Sequence, residues 1–130
     1  MRFLSAEWLD LRMAKSAGFV VAEDVDLRIQ RVVTAGPDEI EVRYFDELRG
    51  GRLSRTGIGD VADPDLTIWS TWTDEMGLLS GEVDPYVAVV EGQVRVEGDQ
   101  SRLLLLLPML QHYSTEIYDV AKYLLECIDE

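Results

Sequence analysis

The residue types best suited to catalysis in this chain are one histidine, one cysteine and many carboxylates. His112 has no second imidazole with which to share a metal ion, and neither a His-Glu-x-x-His spacing nor a cysteine cluster is present, so we expect no metal site. Cys127 follows Glu126 and lies near Asp129, whose negative charges disfavour the reactive thiolate. These side chains argue against metal and thiol chemistry.

The carboxylates fall mostly at predicted turns and helix starts, where solvated caps are their ordinary role. A carboxylate buried in an apolar pocket would have a raised pKa and could move a proton, for instance on a steroid or polyketide. We expect no enzyme activity and no cofactor, and leave the apolar-pocket enzyme open as a weaker possibility. The carboxylates in question are Glu23 and Asp24, Asp38 and Glu39, Asp46 and Glu47, Asp63, Asp65, and Asp74 and Glu75.

The composition is that of one domain, spanning residues 1–130, with enough apolar residues (47%) for a core. The 25 acidic residues outnumber the 12 basic ones, giving a formal charge of −13. That charge repels nucleic acids and anionic lipid headgroups, so we expect no nucleic-acid partner.

The location that we expect is the cytoplasm. Cys127 alone cannot form an internal disulfide, which fits a reducing compartment. The first residues lack the apolar stretch of a signal peptide. The longest apolar run, Leu103 to Met109, is far shorter than the roughly 20 residues that span a bilayer, so we expect no stable membrane insertion.

The spacing of apolar residues predicts four strands, with a helix at each end of the chain. The first helix is expected over about Ala6–Ala17, ended by Gly18, and the last over His112–Ile128. Gly57 and Gly59 suggest either the end of the third strand or a bulge. The strands are expected at Asp26–Val33, Glu39–Phe45, Arg52–Ile58 and Leu66–Trp72.

The strand expected at Leu66–Trp72 would place Trp69 and Trp72 on opposite faces, because side chains alternate along a strand. At most one of the two can face a one-sided core, so the other needs a helix, a partner or a ligand. A short helix through Leu79, capped by Thr73 or Asp74, is expected next.

Capping and turn residues organise the segment Gly81–Leu110. Asp84 and Pro85 form an N-cap and first-turn pair, and Gly92 ends the helix that they start. Val94 and Val96 then predict a short fifth strand. After a turn at Gly98, Asp99 can cap a further helix.

This order of elements resembles the sterol carrier protein type two family of small lipid-binding domains, and in particular its stand-alone bacterial members. The stretch Asp65–Ile68 is similar to the strand that precedes the motif in the family, and Phe3–Leu9 is similar to the family's N-terminal helix. The family usually has an alanine and an aromatic or large apolar pair in the first motif helix, and this chain has Ala88, Val89 and Val90 there, so the aromatic is missing. The residues that carry the resemblance are Gly81, Asp84, Pro85, Gly92, Val94, Val96, Gly98 and Asp99.

The resemblance implies an α+β fold in which helices pack on an about five-stranded, mostly antiparallel sheet, with an interior tunnel that opens near the terminal helices. The order of predicted elements also favours an α+β fold, because the strands are not regularly interleaved with helices.

The run Leu103–Leu107 places apolar side chains all around a helix axis, so the sheet can cover only part of it. Either the N-terminal and C-terminal helices cover the rest, or the run forms the wall of a ligand cavity. The residues alone leave both answers open.

Two hypotheses for function follow. In the first, a cavity between the sheet and the helices of Thr73–Leu110 binds a lipid, fatty acyl or sterol-like ligand, as a carrier or accessory module. In the second, the same scaffold has a filled cavity and uses an exposed apolar patch, with Trp69, to form a homodimer or to dock on an enzyme. The first hypothesis predicts that the cavity wall contains Trp72, Met76, Leu79, Tyr86, Val90, Leu104, Leu107 and Tyr113.

Overall fold

The computed structural model describes residues 2–16, 25–36, 39–80, 82–99, 101 and 122–128. In these residues the helices are α1 (Ala6–Ser16), α2 (Trp72–Ser80) and α3 (Pro85–Val90). The strands are β1 (Leu27–Thr34), β2 (Val42–Arg49), β3 (Arg52–Ile58), β4 (Leu66–Thr71) and β5 (Arg95–Gly98). Residues 122–126 are also helical.

The five strands form one sheet in the order β3-β2-β1-β4-β5. Strands β1, β2 and β3 are antiparallel neighbours, β5 is antiparallel to β4, and β4 runs parallel to β1. The α+β prediction with a mostly antiparallel five-stranded sheet is therefore confirmed.

The second strand differs from its prediction. It begins at Val42 instead of Glu39, because Gly36 and Ile40 bond across a tight loop in which Glu39 has a positive φ of 59°. It runs on to Arg49, so the turn between β2 and β3 is confined to Gly50 and Gly51, both with positive φ. Strand β3 has the predicted bounds and ends before Gly59, whereas the register shift lies in β2, between Glu47 and Leu48.

The prediction that Trp69 and Trp72 share a strand is wrong. Strand β4 ends at Thr71, and Trp72 is the first residue of α2. The Thr71 hydroxyl accepts a hydrogen bond from the backbone N–H of Asp74 at 3.2 Å, so Thr71 caps the helix in place of the expected Thr73 or Asp74. Trp72 therefore reaches the core from a helix.

The predicted cap of α3 is confirmed. The Asp84 carboxylate accepts the backbone N–H groups of Tyr86 at 2.8 Å and Val87 at 3.2 Å, and Pro85 occupies the first turn. Gly92 follows the helix with a φ of 79°. Asp99 accepts the backbone N–H of Ser101 at 3.1 Å, as a helix cap would.

Candidate functional site

The helices cover one face of the sheet and bury two separate apolar clusters there. The lower cluster consists of Leu27, Ile29, Leu48, Leu53 and Leu66, and Met13 and Val89 pack on it from α1 and α3. The upper cluster consists of Phe3, Leu4, Trp8, Leu9, Val33, Tyr44 and Leu124.

A belt of polar side chains crosses the same face between the two clusters. Along β1, Arg31 lies between Ile29 of the lower cluster and Val33 of the upper one, and along β2 Asp46 lies between Leu48 and Tyr44. Neighbouring elements complete the belt with their own polar side chains. We call this group the polar belt: Arg12, Arg31, Tyr44, Asp46, Thr56, Ser70 and Glu75.

The belt holds two arginines and two carboxylates. Arg12 of α1 donates to both oxygens of Asp46, at 2.7 and 3.0 Å. Arg31 Nη2 lies 2.7 Å from Oε1 of Glu75, while its Nη1 lies 4.0 Å from Asp46. The charges of the four groups balance, which is what buried ions require.

The Glu75 carboxylate is fully buried, at 0% exposed. It accepts hydrogen bonds from the hydroxyls of Tyr44 and Ser70, the latter at 2.7 Å, in addition to the Arg31 guanidinium. These bonds tie α2 to the sheet. Because its oxygens are engaged by three donors, the carboxylate is an anchor and not a free general base.

The pKa values in the belt reflect this pairing. Burial opposes ionisation of Asp46, but Arg12 and Arg31 outweigh it and hold the Asp46 pKa below its ordinary value. Burial also raises the pKa of Tyr44 well above its ordinary value, so this tyrosine stays neutral. Burial alone would lower the pKa of Arg31, but its neighbours, with Glu75 first among them, outweigh burial and raise that pKa.

The expectation that the carboxylates are solvated caps is wrong for Asp46, Glu47 and Glu75, which are all buried. Asp46 and Glu47 lie in the middle of β2, which the sequence analysis ended at Phe45, and Glu75 points from α2 into the core. A signal was available in Arg31, which alternates with Leu27, Ile29 and Val33 along one face of β1, because an arginine on a buried apolar face needs an acidic partner.

The predicted wall residues that the structure describes fall into two groups. Trp72, Met76 and Leu79 of α2 pack against the upper cluster. Tyr86 and Val90 of α3 are exposed, at 49% and 68%. Leu104, Leu107 and Tyr113 lie outside the described residues, as does the leucine run as a whole.

Aromatic side chains fix the position of Trp72 in the upper cluster. Its ring meets Phe3 edge to face, with centroids 5.0 Å apart, and Phe3 meets Trp8 in the same way at 4.9 Å. The indole N–H of Trp8 donates to the backbone oxygen of Leu124 at 2.9 Å, which joins α1 to the C-terminal residues. The N-terminal segment is therefore part of this half of the core.

A groove of about 340 Å³ adjoins the upper cluster. It is lined by residues 2–6 and 40–43 together with Ile58 and Trp72. Among the described residues of the predicted wall, Trp72 lines this groove, and Ile40 and Ile58 of the lining are exposed. Local sequence patterns do not predict this groove, because it joins residues 2–6 to residues 40–43, which are distant along the chain.

The described residues bear on two further kinds of site. Among them, no three His, Cys, Asp or Glu side chains are arranged to hold a metal ion. None of the helices described is long and apolar enough to cross a membrane.

No protein-family model matches the chain, and no curated protein matches it by sequence. Solved structures do match it. A conserved hypothetical protein from Thermus thermophilus, named as a candidate sterol carrier protein, has a TM-score of 0.75 at 17% identity, covering 95% of this chain and 90% of its own. Palmitated SCP2L2 from Aedes aegypti has a TM-score of 0.61 at 14% identity, covering 81% of this chain and 96% of its own.

A third similar structure is the sec-alkylsulfatase Pisa1 from Pseudomonas sp., with a TM-score of 0.51 and 19% identity. The match covers 81% of this chain but 14% of the sulfatase, so the likeness concerns one part of a larger enzyme. Similar structures that match over most of their own length include sterol carrier protein 2 and SCP2L2, in addition to the candidate sterol carrier protein from Thermus thermophilus. At these identities the likeness concerns the fold, and this chain has the fold of sterol carrier protein type two.

Proposed function

We propose that this protein binds a hydrophobic ligand of the lipid, fatty acyl or sterol-like class in a cavity between the sheet and the helices. The observation that carries the proposal is the fold, which is shared over most of both chains with sterol carrier proteins. One protein of this fold, from Aedes aegypti, is palmitated. The protein would act as a carrier or as an accessory module.

The chemistry of the upper cluster supports this proposal. Trp72, Met76 and Leu79 place aromatic, flexible and branched apolar groups together on α2. Methionine adapts its shape to neighbouring groups, which suits a site for chains of variable length. The transfer of a ligand onto such a surface contributes about 25 cal/mol per Å² of apolar area buried.

The exposed side of α3 supports it as well. Ala88 and Val89 hold the helix on the sheet, while Tyr86 and Val90 remain exposed. Exposed apolar groups gain free energy when another apolar molecule covers them. We propose that a bound ligand covers these two side chains, with Leu104, Leu107 and Tyr113 completing the wall.

The direct test is titration of the purified protein with a fluorescent fatty acid, followed by mass spectrometry of lipid extracted from the same preparation. We expect saturable binding with one ligand per chain and displacement by unlabelled palmitate. A protein that shows no displacement and contains no co-purified lipid would contradict the proposal.

The position of the site can be tested on α3. Val90→Asp places a charge in the proposed wall, and we expect it to weaken fatty-acid binding by at least tenfold because a carboxylate is costly to bury in an apolar site. Val87→Asp is the matched control, since Val87 is also exposed on α3, at 43%, but was not predicted to line the wall. If Val90→Asp and Val87→Asp bound the fatty acid with equal affinity, Val90 would not be part of the ligand site.

The alternative is an interaction or dimerisation domain with no ligand. In the sulfatase Pisa1 the similar segment is one part of a larger protein, which is the arrangement that a docking module requires. Sedimentation at several concentrations distinguishes the two functions. A tight dimer that binds no lipid would favour the alternative.

A further inference from the structure

The face of the sheet opposite the helices carries a concentration of arginines. Since side chains alternate along each strand, this face receives Arg28 of β1, Arg49 of β2, and Arg52 and Arg55 of β3. In the register of the sheet, Glu47 lies directly between Arg28 and Arg55, while Arg49 lies opposite Arg52. We call these four arginines with Glu47 the arginine corner.

The arginine corner has more positive than negative charge. Glu47 lies 3.0 Å from Arg49, 3.7 Å from Arg55 and 3.9 Å from Arg28, so one carboxylate serves three guanidinium groups. Among the residues that the structure describes, no carboxylate lies within ion-pairing distance of Arg52. A second carboxylate, that of Asp26, accepts the backbone N–H of Gly50 beside Arg49 at 2.8 Å, so the four arginines exceed the two described carboxylates at this corner.

The arginines are available to a partner. The side chains of Arg49 and Arg55 are 67% and 63% exposed, whereas Glu47 lies beneath them at 8%. Of the three, Arg49 alone is within hydrogen-bond distance of Glu47, so the donors of Arg55 are left for other acceptors. Arg55 also lies over the ring of Phe45, at 4.8 Å from its centroid, which holds the guanidinium flat against the sheet.

The facing pair of Arg49 and Arg52 costs stability, because like charges directly opposite each other in a sheet repel. The composition does not force this arrangement, since acidic residues outnumber basic ones by 25 to 12. Glu47 offsets part of this repulsion through its hydrogen bonds to Arg49, whereas Arg52 has no carboxylate partner among the described residues. A like-charge pair that the composition does not require marks a candidate binding surface.

We propose that the arginine corner docks an acidic polypeptide segment, whose carboxylates take up the arginine donors that Glu47 leaves unused. The guanidinium fork binds carboxylates with two parallel hydrogen bonds, which favours this chemistry. The arginines occupy three adjacent strands about 4.8 Å apart, so the site is a small patch. A short peptide can contact the patch alone, whereas a membrane or a nucleic-acid duplex would also meet the repulsion of a molecule with a charge of −13.

The docking site lies on the opposite face of the sheet from the proposed ligand site, so each can be tested without the other. A labelled eight-residue peptide with glutamate at every second position would be titrated with the full-length protein, and anisotropy followed. A salt concentration of about 0.15 M gives a Debye length of about 8 Å, which screens distant charges but not contacts. The same peptide with glutamine in place of glutamate is the control ligand.

The test variant is Arg49→Gln with Arg52→Gln. The control is Lys15→Gln with Lys122→Gln, which removes the same charge from exposed positions in helical segments. We expect the double arginine variant to bind the peptide about fivefold more weakly than the wild type, because two exposed ion pairs are lost. The double lysine variant should change the affinity less than twofold. Arg55→Gln gives a third variant, expected to weaken binding, should the double variant fail to fold.

Three results would overturn the proposal. Equal affinity for the glutamine and glutamate peptides would show that carboxylates are not required for binding. Equal weakening by the arginine and lysine variants would show that the peptide responds to the net charge of the protein and not to the arginine corner. Binding to vesicles that contain phosphatidylglycerol, without binding of the peptide, would assign the corner to a membrane surface. None of these results depends on fatty-acid binding.

Discussion

At the scale of residues, the polar belt is the feature that most constrains the molecule. An unpaired ion in the core costs several kcal/mol, so each belt side chain depends on its neighbours. Arg31 already has a buried Nε with no hydrogen-bond partner among the described residues. The belt therefore has little tolerance for the loss of a further partner.

Glu75→Gln tests this dependence. The substitution keeps the shape of the side chain but leaves Arg31 with Asp46, 4.0 Å away, as its remaining described carboxylate neighbour. We expect the free energy of unfolding in urea to fall by about 3 kcal/mol, as for removal of one partner from a buried ion pair. Asp74→Asn removes the same charge one residue away and should cost less than about 1 kcal/mol. Similar losses for both variants would show that Glu75 does not anchor α2.

Asp46 predicts how stability depends on pH. Its pKa in the folded protein is below the ordinary value of 3.8, so the folded state binds the proton less readily than the unfolded state does. Its contribution to stability is therefore full well above the unfolded pKa of 3.8 and is lost progressively as the pH falls toward and through the lower, folded pKa. We expect urea midpoints of the wild-type protein to fall on acidification below about pH 5, where protonation of the unfolded state begins.

Asp46→Asn should lower the midpoint at neutral pH and flatten its decline in acid. Asp10→Asn, at an exposed position of α1, should leave both the midpoint and its pH profile close to those of the wild type. A decline in acid that is identical for Asp46→Asn and the wild type would show that other groups cause it.

At the scale of elements, β5 depends on a close approach of two backbones. Gly98 pairs with Leu66 and has a φ of 119°, and a Cβ at this position would overlap the carbonyl oxygen of Asp65. Gly92 also has a positive φ, of 79°, but a Cβ there would meet nothing within 4 Å. Comparing alanine substitutions at the two glycines therefore distinguishes the cost of backbone strain from the cost of steric overlap.

We expect Gly98→Ala to destabilise the protein by about 2 kcal/mol more than Gly92→Ala, which carries the strain of positive φ without the overlap. Hydrogen exchange should show the difference locally, as faster exchange in β4 and β5. Equal costs for the two variants, with unchanged exchange in these strands, would contradict the close approach.

At the scale of the whole molecule, the sequence predicted the fold class, the order of elements and the cap at Asp84, because local patterns determine these features. It misplaced the start of β2 and the end of β4, where Ile40 and Trp72 continue an apolar pattern beyond the last strand hydrogen bond. It also missed the polar belt, since burial of Asp46 and Glu75 depends on arginines 34 and 44 residues away from them along the chain. Of the predicted wall, the sequence could name apolar side chains but not the face that each one occupies.

The parallel pair of β1 with β4 bears on how the chain reaches its folded state. Strands β1, β2 and β3 are joined by short antiparallel connections, so they can pair from local contacts. The central β1 acquires its second neighbour only when β4, 37 residues further along, closes a long loop. Contacts of this separation slow folding. We therefore expect the three-stranded meander to form first and the docking of β4, which brings α2 and its buried Glu75, to limit the rate of folding.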